Sequence, residues 1–406
     1  MNFLFIHRNF PAQFQHLAAE LAKEKNNNVF FLTNNTATRS FGNIKKVMYK
    51  LKRKVPQDCH RYLRFYEESI IHGQAAAEAM ISLQQSGFTP DVIYGHSWGA
   101  SMFAKAVFPN VPYIAYLEWY YNPVNSDVDF GGKVLNVDER ANLDCKNSHI
   151  LQDLVNCDYG VSPTYWQRDQ FPKIFHDKIK VIHEGVNTDI CVPNEEVSLK
   201  IPNSDIVLSR KDEVLTYATR GMEEYRGFPE FMKTASALME QRPNLHVIVG
   251  GEDRVCYGRQ LKNDTWKAKM LRELKFDEKR LHFTGPLPYS EYLKLLQVSK
   301  AHIYLTYPFV LSWSLLEALS AKCCVVASGT QPVREVIKDG YNGILTDFYD
   351  INSMAEKIND ILDNPDKYND IRENARKTAV EKYDLKLLLP QQTEFVKNIA
   401  KQSSSN

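Results

Sequence analysis

The chain has 406 residues, 50 Lys+Arg against 49 Asp+Glu for a formal charge of +1, and is 44% hydrophobic and 24% charged. This is long enough for two to three domains with large cores, and its near-neutral total excludes a dedicated nucleic-acid binder, which carries a basic excess. No run reaches the ~18 apolar residues of a membrane span, no signal peptide is visible, and the seven cysteines lack a CxxC pair, as expected of reduced thiols in a cytosol.

In chain order, apolar β-type runs at 3–6, 29–32, 92–94, 113–116, 159–161 and 179–182 alternate with helix-period segments. Pro11 opens one helix, with Phe14, Leu17, Ala18, Leu21 and Ala22 on one face. A longer helix is predicted over 61–84, closed by Gly87. The pattern pauses at 187–212, read as the interdomain connection. It restarts with strands at 214–218, 245–249, 281–283, 303–306, 323–327 and 343–345, and with helices at 229–241, 289–299, 312–320 and 353–362. The tail from 366 is helical with a break at Pro390, and 403–406 is expected to be disordered. Near-continuous apolar strands alternating with helices imply parallel sheets covered on both faces. The expected architecture is α/β, two Rossmann-like doubly wound domains in tandem, with ligands beyond the carboxyl ends of the strands.

Common phosphate loops and metal motifs are absent: there is no G-x-x-x-x-G-K-[ST], no G-x-G-x-x-G after a strand and no H-E-x-x-H. Gly95-His96-Ser97-Trp98-Gly99 matches the G-x-S-x-G nucleophile elbow. It supports one alternative, an α/β-hydrolase-type esterase using Ser97, with His183 as a partner by chain order. Against that, no oxyanion loop precedes it, and a strand-to-helix turn explains the glycines equally well.

Arg220 follows the first strand of the second half, and Arg226 precedes a helix. Two cations beside a helix start suit a diphosphate, although two solvated surface arginines fit the spacing as well. In 307–319, Pro308 ends a strand and a helix begins near Ser312. Glu317 lies in an apolar helix and needs a partner, either a ribose diol or a cationic side chain. The amides of Ser312 and Trp313, free at a helix start, suit a phosphate.

The ordered set Ile182-His183-Glu184-Gly185-Val186-Asn187, Thr219-Arg220-Gly221, Arg226-Gly227, Val249-Gly250-Gly251, Phe283-Thr284-Gly285, Leu316-Glu317-Ala318 and Asp339-Gly340-Tyr341-Asn342-Gly343 resembles the family 4, group 1 retaining glycosyltransferases of the GT-B fold. The resemblance implies two Rossmann-like domains facing across a cleft: an acceptor-binding domain over 1–190, a nucleotide-sugar domain over 191–385, and a C-terminal helix over 386–406 that crosses back to the first. It implies a hexosyltransferase acting from a nucleoside diphosphate sugar, without metal or other cofactor. Arg220, Arg226 and His96 are implied as catalytic. Glu317, Phe309, Val310, Leu311, Ser312, Trp313 and Gly285 are implied on the donor side.

Three departures stand out. The first carboxylate of the family's Glu-x7-Glu motif falls on Phe309, and Arg226 replaces the usual Lys. The opening turn, His7-Arg8-Asn9-Phe10-Pro11-Ala12-Gln13-Phe14, replaces a Gly-Gly loop and resembles a bacterial surface-polysaccharide subgroup. Asn9, Gln13 and Glu118 are expected on the acceptor side, facing a glycan or lipid-linked acceptor. The stretch from Lys45 to Arg64 holds eight Lys/Arg and one acid, a local net of +7. It reads either as a solvated face or as a peripheral contact with an anionic membrane of a cytoplasmic protein. A sugar-nucleotide epimerase and a non-catalytic binding module are the remaining readings.

Overall fold

Branched and aromatic residues crowd six of the seven short segments of the N-terminal half that become strands of one parallel sheet. They are β1 (Asn2–Ile6), β2 (Asn28–Thr33), β3 (Lys45–Met48), β4 (Val92–His96), β5 (Tyr113–Tyr116), β6 (Tyr159–Ser162) and β7 (Ile179–Val181) in a computed structural model that describes residues 1–37 and 40–403. The strand order is β3-β2-β1-β4-β5-β6-β7. Leu4 pairs with Phe30 on one side and Ile93 on the other. The two-residue period sends Leu4, Ile6 and Ile93 into one core and Phe3, Phe5 and Tyr94 into the other, so both faces of the sheet are covered.

The second half repeats the plan. A two-stranded ribbon, β8 (Ser198–Lys200) and β9 (Val207–Ser209), precedes β10 (Val214–Gly221), β11 (His246–Glu252), β12 (Leu281–Gly285), β13 (Ala301–Tyr304), β14 (Val325–Ser328) and β15 (Ile344–Thr346). Their order is β12-β11-β10-β13-β14-β15, again all parallel. Both sheets reverse direction of winding at one point, between β1 and β4 and between β10 and β13. In open α/β sheets the ligand crevice lies outside the carboxyl ends of the strands at that point.

The chain divides into two compact units, Met1–Gly185 with the residues from Lys386 on, and Val186–Leu385. The expected seam at 187–212 lies inside the second unit. Leu199 and Leu208, the central residues of β8 and β9, are buried in that unit's core. The strands are too short, three residues each, for their period to stand out. Val186 and Asp384 bridge in parallel, Val186 N–H donating to Tyr383 O at 2.9 Å and Thr188 Oγ1 to Asp384 Oδ2 at 2.7 Å, so the entering and leaving segments of the second unit are tied together.

The final helix, Leu385–Ser403, runs through Pro390 instead of breaking there. Val396, Ile399 and Ala400 sink into the first unit's core, and this burial offsets the proline's lost hydrogen bond. Of the tail expected to be disordered, Ser403 ends this helix and 404–406 lie outside the described residues. The long helix is Arg64–Gln85, ended by Gly87 at φ +89 with Phe88 N–H donating to Leu83 O. A helix at Val137–Asn156 goes beyond the sequence reading, although its Asn136/Glu139 capping box marks its start. Cys323 and Cys324 are buried as small hydrophobes, 2% and 0% exposed.

Below the β4 end, Asp153 is buried on the 137–156 helix. It accepts from Tyr113 Oη at 2.9 Å and sits 3.4 Å from Ser101 Oγ, which donates to the His96 carbonyl at 2.9 Å. Burial raises its carboxyl to about 7, partly offset by the Tyr113 and Ser101 hydrogen bonds. The native state therefore binds the proton that the unfolded chain loses near pH ~4. Stability from this group falls as pH rises from ~4 to ~7 and stays low above. Asp153→Asn is expected to melt above wild type at pH 8, with a smaller difference at pH 5, in thermal unfolding followed by circular dichroism.

Candidate active site

The carboxyl end of β10 carries Arg220 and then a tight descent into the helix Phe228–Gln241. Gly227 makes the turn possible. It sits at φ +66, and a Cβ there would lie 2.4 Å from Leu305 Cβ. The turn brings Arg226 inward to 8% exposure. Its Nη1 donates to Thr306 Oγ1 at 2.8 Å and to the Val310 carbonyl at 2.9 Å, and its guanidinium lies 5.3 Å from the Tyr257 ring centroid and 5.8 Å from that of Phe309. No carboxylate makes an ion pair with it among the described residues. Arg220 is exposed and makes no hydrogen bond or ion pair among them. Glu223 acts on Arg226 only electrostatically and forms no ion pair with it, so the desolvated guanidinium lacks a direct ionic partner, and an anion is the natural complement of the pair.

Phe309 is buried against Tyr225 and Tyr257, at 5.6 and 5.0 Å between ring centroids. Leu311 packs on the unit's core. The Ser312 amide is not free: it donates to Tyr304 Oη at 2.9 Å, because that tyrosine at the end of β13 reaches under the helix start. Ser312 Oγ caps the helix by accepting from Ser314 N–H at 3.3 Å, and Trp313 is 39% exposed on the first turn. Glu317 pairs with neither Lys nor Arg among the described residues. Its two oxygens accept from Tyr289 Oη and Tyr292 Oη, each at 2.8 Å, and burial raises its carboxyl, partly offset by those hydrogen bonds. Gly285 ends β12 at φ +67 with open space around it.

In the first unit, the β1/β4 switch point gathers residues far apart in sequence. His7 follows β1, His96 ends β4 and Glu118 follows β5. The His7 and His96 rings meet edge to face at 4.5 Å. Gln13 Nε2 donates to Glu118 Oε1 at 2.7 Å, and His96 Nε2 lies 3.5 Å from Glu118 Oε2. Both histidines are 1% exposed, and burial, then His96, hold His7 well below its ordinary range. Asn9 contributes its backbone N–H, donating to His7 Nδ1 at 2.7 Å, while its side chain stays exposed. His96, Gln13 and Glu118 thus share one cluster. His7 belongs to it as well, and its place directly after the first strand was the available signal.

The elbow reading does not survive this geometry. Ser97 is 0% exposed with no hydrogen-bond partner at Oγ among the described residues, and His183 Nδ1 accepts from Gly185 N–H at 2.9 Å. A turn and a four-residue helix, Ala104–Val107, follow in place of a helix on the serine.

Part of the basic stretch is neutralised locally: Lys52 pairs with Glu78, Arg53 with Glu67 and Arg61 with Asp138, and Lys45 and Lys46 belong to β3. Among the described residues no helix is long and apolar enough to cross a membrane, and no group of three or more His, Cys, Asp or Glu could hold a metal ion.

Residues 25–191 match the model of the glycosyl transferase family 4 group, and residues 203–378 match that of glycosyl transferases group 1. The chain belongs to the group 1, family 4 glycosyltransferases. A search of curated proteins finds no match. Among solved structures the fold is similar to Anabaena HepE in complex with UDP-glucose (16% identity, 98% of this chain and 100% of that one, TM-score 0.71). It is also similar to sucrose-phosphate synthase of Thermosynechococcus elongatus (13%, 98% and 99%, 0.72) and to a glycosyltransferase of Rickettsia africae (15%, 98% and 98%, 0.66). The fold is GT-B.

This glycosyltransferase holds its two site glycines for different reasons, which gives a test of the Arg226 turn. Gly285→Ala meets only the positive-φ penalty of ~1–2 kcal/mol. Gly227→Ala adds the collision with Leu305 and is expected to cost at least twice as much in urea unfolding, with loss of transfer activity as Arg226 shifts.

Proposed function

We infer that this glycosyltransferase moves a hexose from a nucleoside diphosphate sugar to a hydroxyl of a glycan or lipid-linked acceptor, in surface polysaccharide or glycoconjugate synthesis, with retention at the anomeric carbon. The observation that carries the reading is Arg226, buried and without an ion-paired carboxylate among the described residues, six residues after the exposed Arg220, which is unpaired among them, at the β10/β13 switch point. Solved neighbours that contain UDP, or UDP-glucose, support it.

The demanding event is departure of the diphosphate. As the bond from C1 to the phosphate oxygen breaks, that oxygen gains negative charge. Arg220 and Arg226 stabilise it where water is excluded. The acceptor oxygen bonds to C1 from the same face, and its proton passes to the departing phosphate oxygen. Two guanidiniums take the charge-neutralising part that a divalent ion takes elsewhere, so neither metal nor other cofactor is needed. Glu317 accepts from the donor ribose hydroxyls beside its two tyrosines. His96, with Glu118 and Gln13, hydrogen-bonds sugar hydroxyls on the first unit. The cations of the Lys45 to Arg64 stretch left without acidic partners favour a cytoplasmic protein that touches an anionic membrane surface. Nucleic acid is not a partner.

The test is a panel of nucleotide sugars in thermal shift, since a ligand of the native state raises stability by RT ln(1 + [L]/Kd). One nucleotide sugar is expected to raise the melting temperature and to be consumed in the presence of a glycan acceptor. Arg220→Ala and Arg226→Ala should each lower kcat by ~100-fold or more, EDTA should leave the rate unchanged, and NMR of the product should show the donor's anomeric configuration. A panel without a single shift overturns the reading.

A further inference from the structure

Between β11 and the helix Trp266–Glu273 lies a thirteen-residue loop, 253–265. Its base is closed by Thr265 Oγ1 donating to Asp253 Oδ2 at 3.0 Å. Its middle is held from below by Glu223, 0% exposed. Glu223 Oε2 accepts three consecutive backbone N–H groups, Cys256 at 3.1, Tyr257 at 2.8 and Gly258 at 2.7 Å. Gly221 closes the approach from the other side: a Cβ there would lie 2.6 Å from Arg254 O and 2.8 Å from Cys256 Sγ. Gly258 is just as constrained, since its Cβ would meet the Tyr225 ring at 3.1 Å and Glu223 Oε2 at 3.3 Å.

A fully buried carboxylate is seldom found without a task. Here it fixes three successive peptide units, and the side chain between them is Tyr257. That ring, 39% exposed, stands 5.0 Å from Phe309 and 5.3 Å from the Arg226 guanidinium. Phe309 occupies the position where the resemblance places a sugar-contacting carboxylate. Ring surface from Tyr257, with Phe309 and Tyr225 behind it, therefore borders the Arg226 site in place of an acid.

We propose that Glu223 is a positioning residue whose carboxylate pins the 253–265 loop, and that the pinned Tyr257 selects the donor sugar through its ring face. The proposal rests on the donor-site reading of Arg226. An aromatic wall contacts the C–H face of a pyranose and senses bulk beside it. It does not accept hydroxyl hydrogen bonds as a carboxylate does. Selection among nucleoside diphosphate sugars with the same nucleotide is then made by ring shape and substituent size.

Two readouts separate the parts. Amide hydrogen exchange of the full-length protein, without ligand, tests the clamp. Glu223→Ala is expected to speed exchange of the peptide containing 256–258 by at least ~10-fold, as loss of charge-assisted hydrogen bonds implies. Glu223→Gln keeps an accepting oxygen and should stay near wild type. Gly221→Ala, which pushes the loop without touching Glu223, serves as an independent variant where Glu223→Ala does not fold. Kinetics with UDP-glucose, UDP-N-acetylglucosamine and UDP-xylose test selection. Glu223→Ala, Gly221→Ala and Tyr257→Ala should flatten the kcat/KM ratio between the best and second-best donors, with UDP binding retained in calorimetry. Glu223→Gln and Tyr257→Phe should preserve the ratio. Unchanged exchange in Glu223→Ala and Gly221→Ala overturns the clamp. Faster exchange with an unchanged donor ratio overturns the selecting role. A wild-type protein that binds UDP but shows no kcat/KM preference among the donors it turns over overturns the selecting role. One that binds no nucleotide sugar sinks the donor-site reading itself while the exchange result still judges the clamp.

Discussion

A guanidinium taken out of water must find an opposite charge or remain a cost to the fold. In the second unit, that of Arg226 is held by a threonine hydroxyl and a main-chain carbonyl, neither of them charged. Much of the local architecture serves this placement. Gly227 bends where a side chain would strike Leu305. Tyr217 Oη donates to the Arg226 carbonyl at 2.7 Å, and the 253–265 loop lays an aromatic ring beside the cation. Arg keeps its charge under such burial where Lys would be prone to lose its proton, which gives a physical reason for the departure from the lysine expected at this position.

The sheets were largely legible because a parallel strand buried on both faces writes itself as a continuous apolar run. All twelve runs picked out correspond to strands. The unread elements lack that signature. β3 consists of Lys45, Lys46, Val47 and Met48 on a sheet edge, where charge is tolerated and even protective. β8 and β9 are three residues each. The β1/β4 cluster was legible in part because its members sit directly beyond strands, where ligand-binding side chains concentrate.

Partners across space were not legible. Nothing near Glu317 in sequence announces Tyr289 and Tyr292, since those phenols arrive from a helix, 28 and 25 residues away. Nor does a helix start reveal that its amide is already taken, as Tyr304 takes that of Ser312. Local rules count donors and acceptors correctly but do not say which are used up by the fold. The charge total misled in the same way: the net +7 of the Lys45 to Arg64 stretch is lowered by acids at Glu67, Glu78 and Asp138, all outside it.

The return of the last helix has a consequence for synthesis. The first unit leaves the ribosome before the second, yet its core takes in Val396, Ile399 and Ala400, which are made after the second. A protein that emerges at ~5–20 residues per second must keep that apolar face uncovered while the whole second unit is still being translated. The second unit, continuous from Val186 to Leu385, carries no such delay. The half that is written earlier is therefore completed later, and for that interval its uncovered sheet face is an apolar surface for a chaperone to shield.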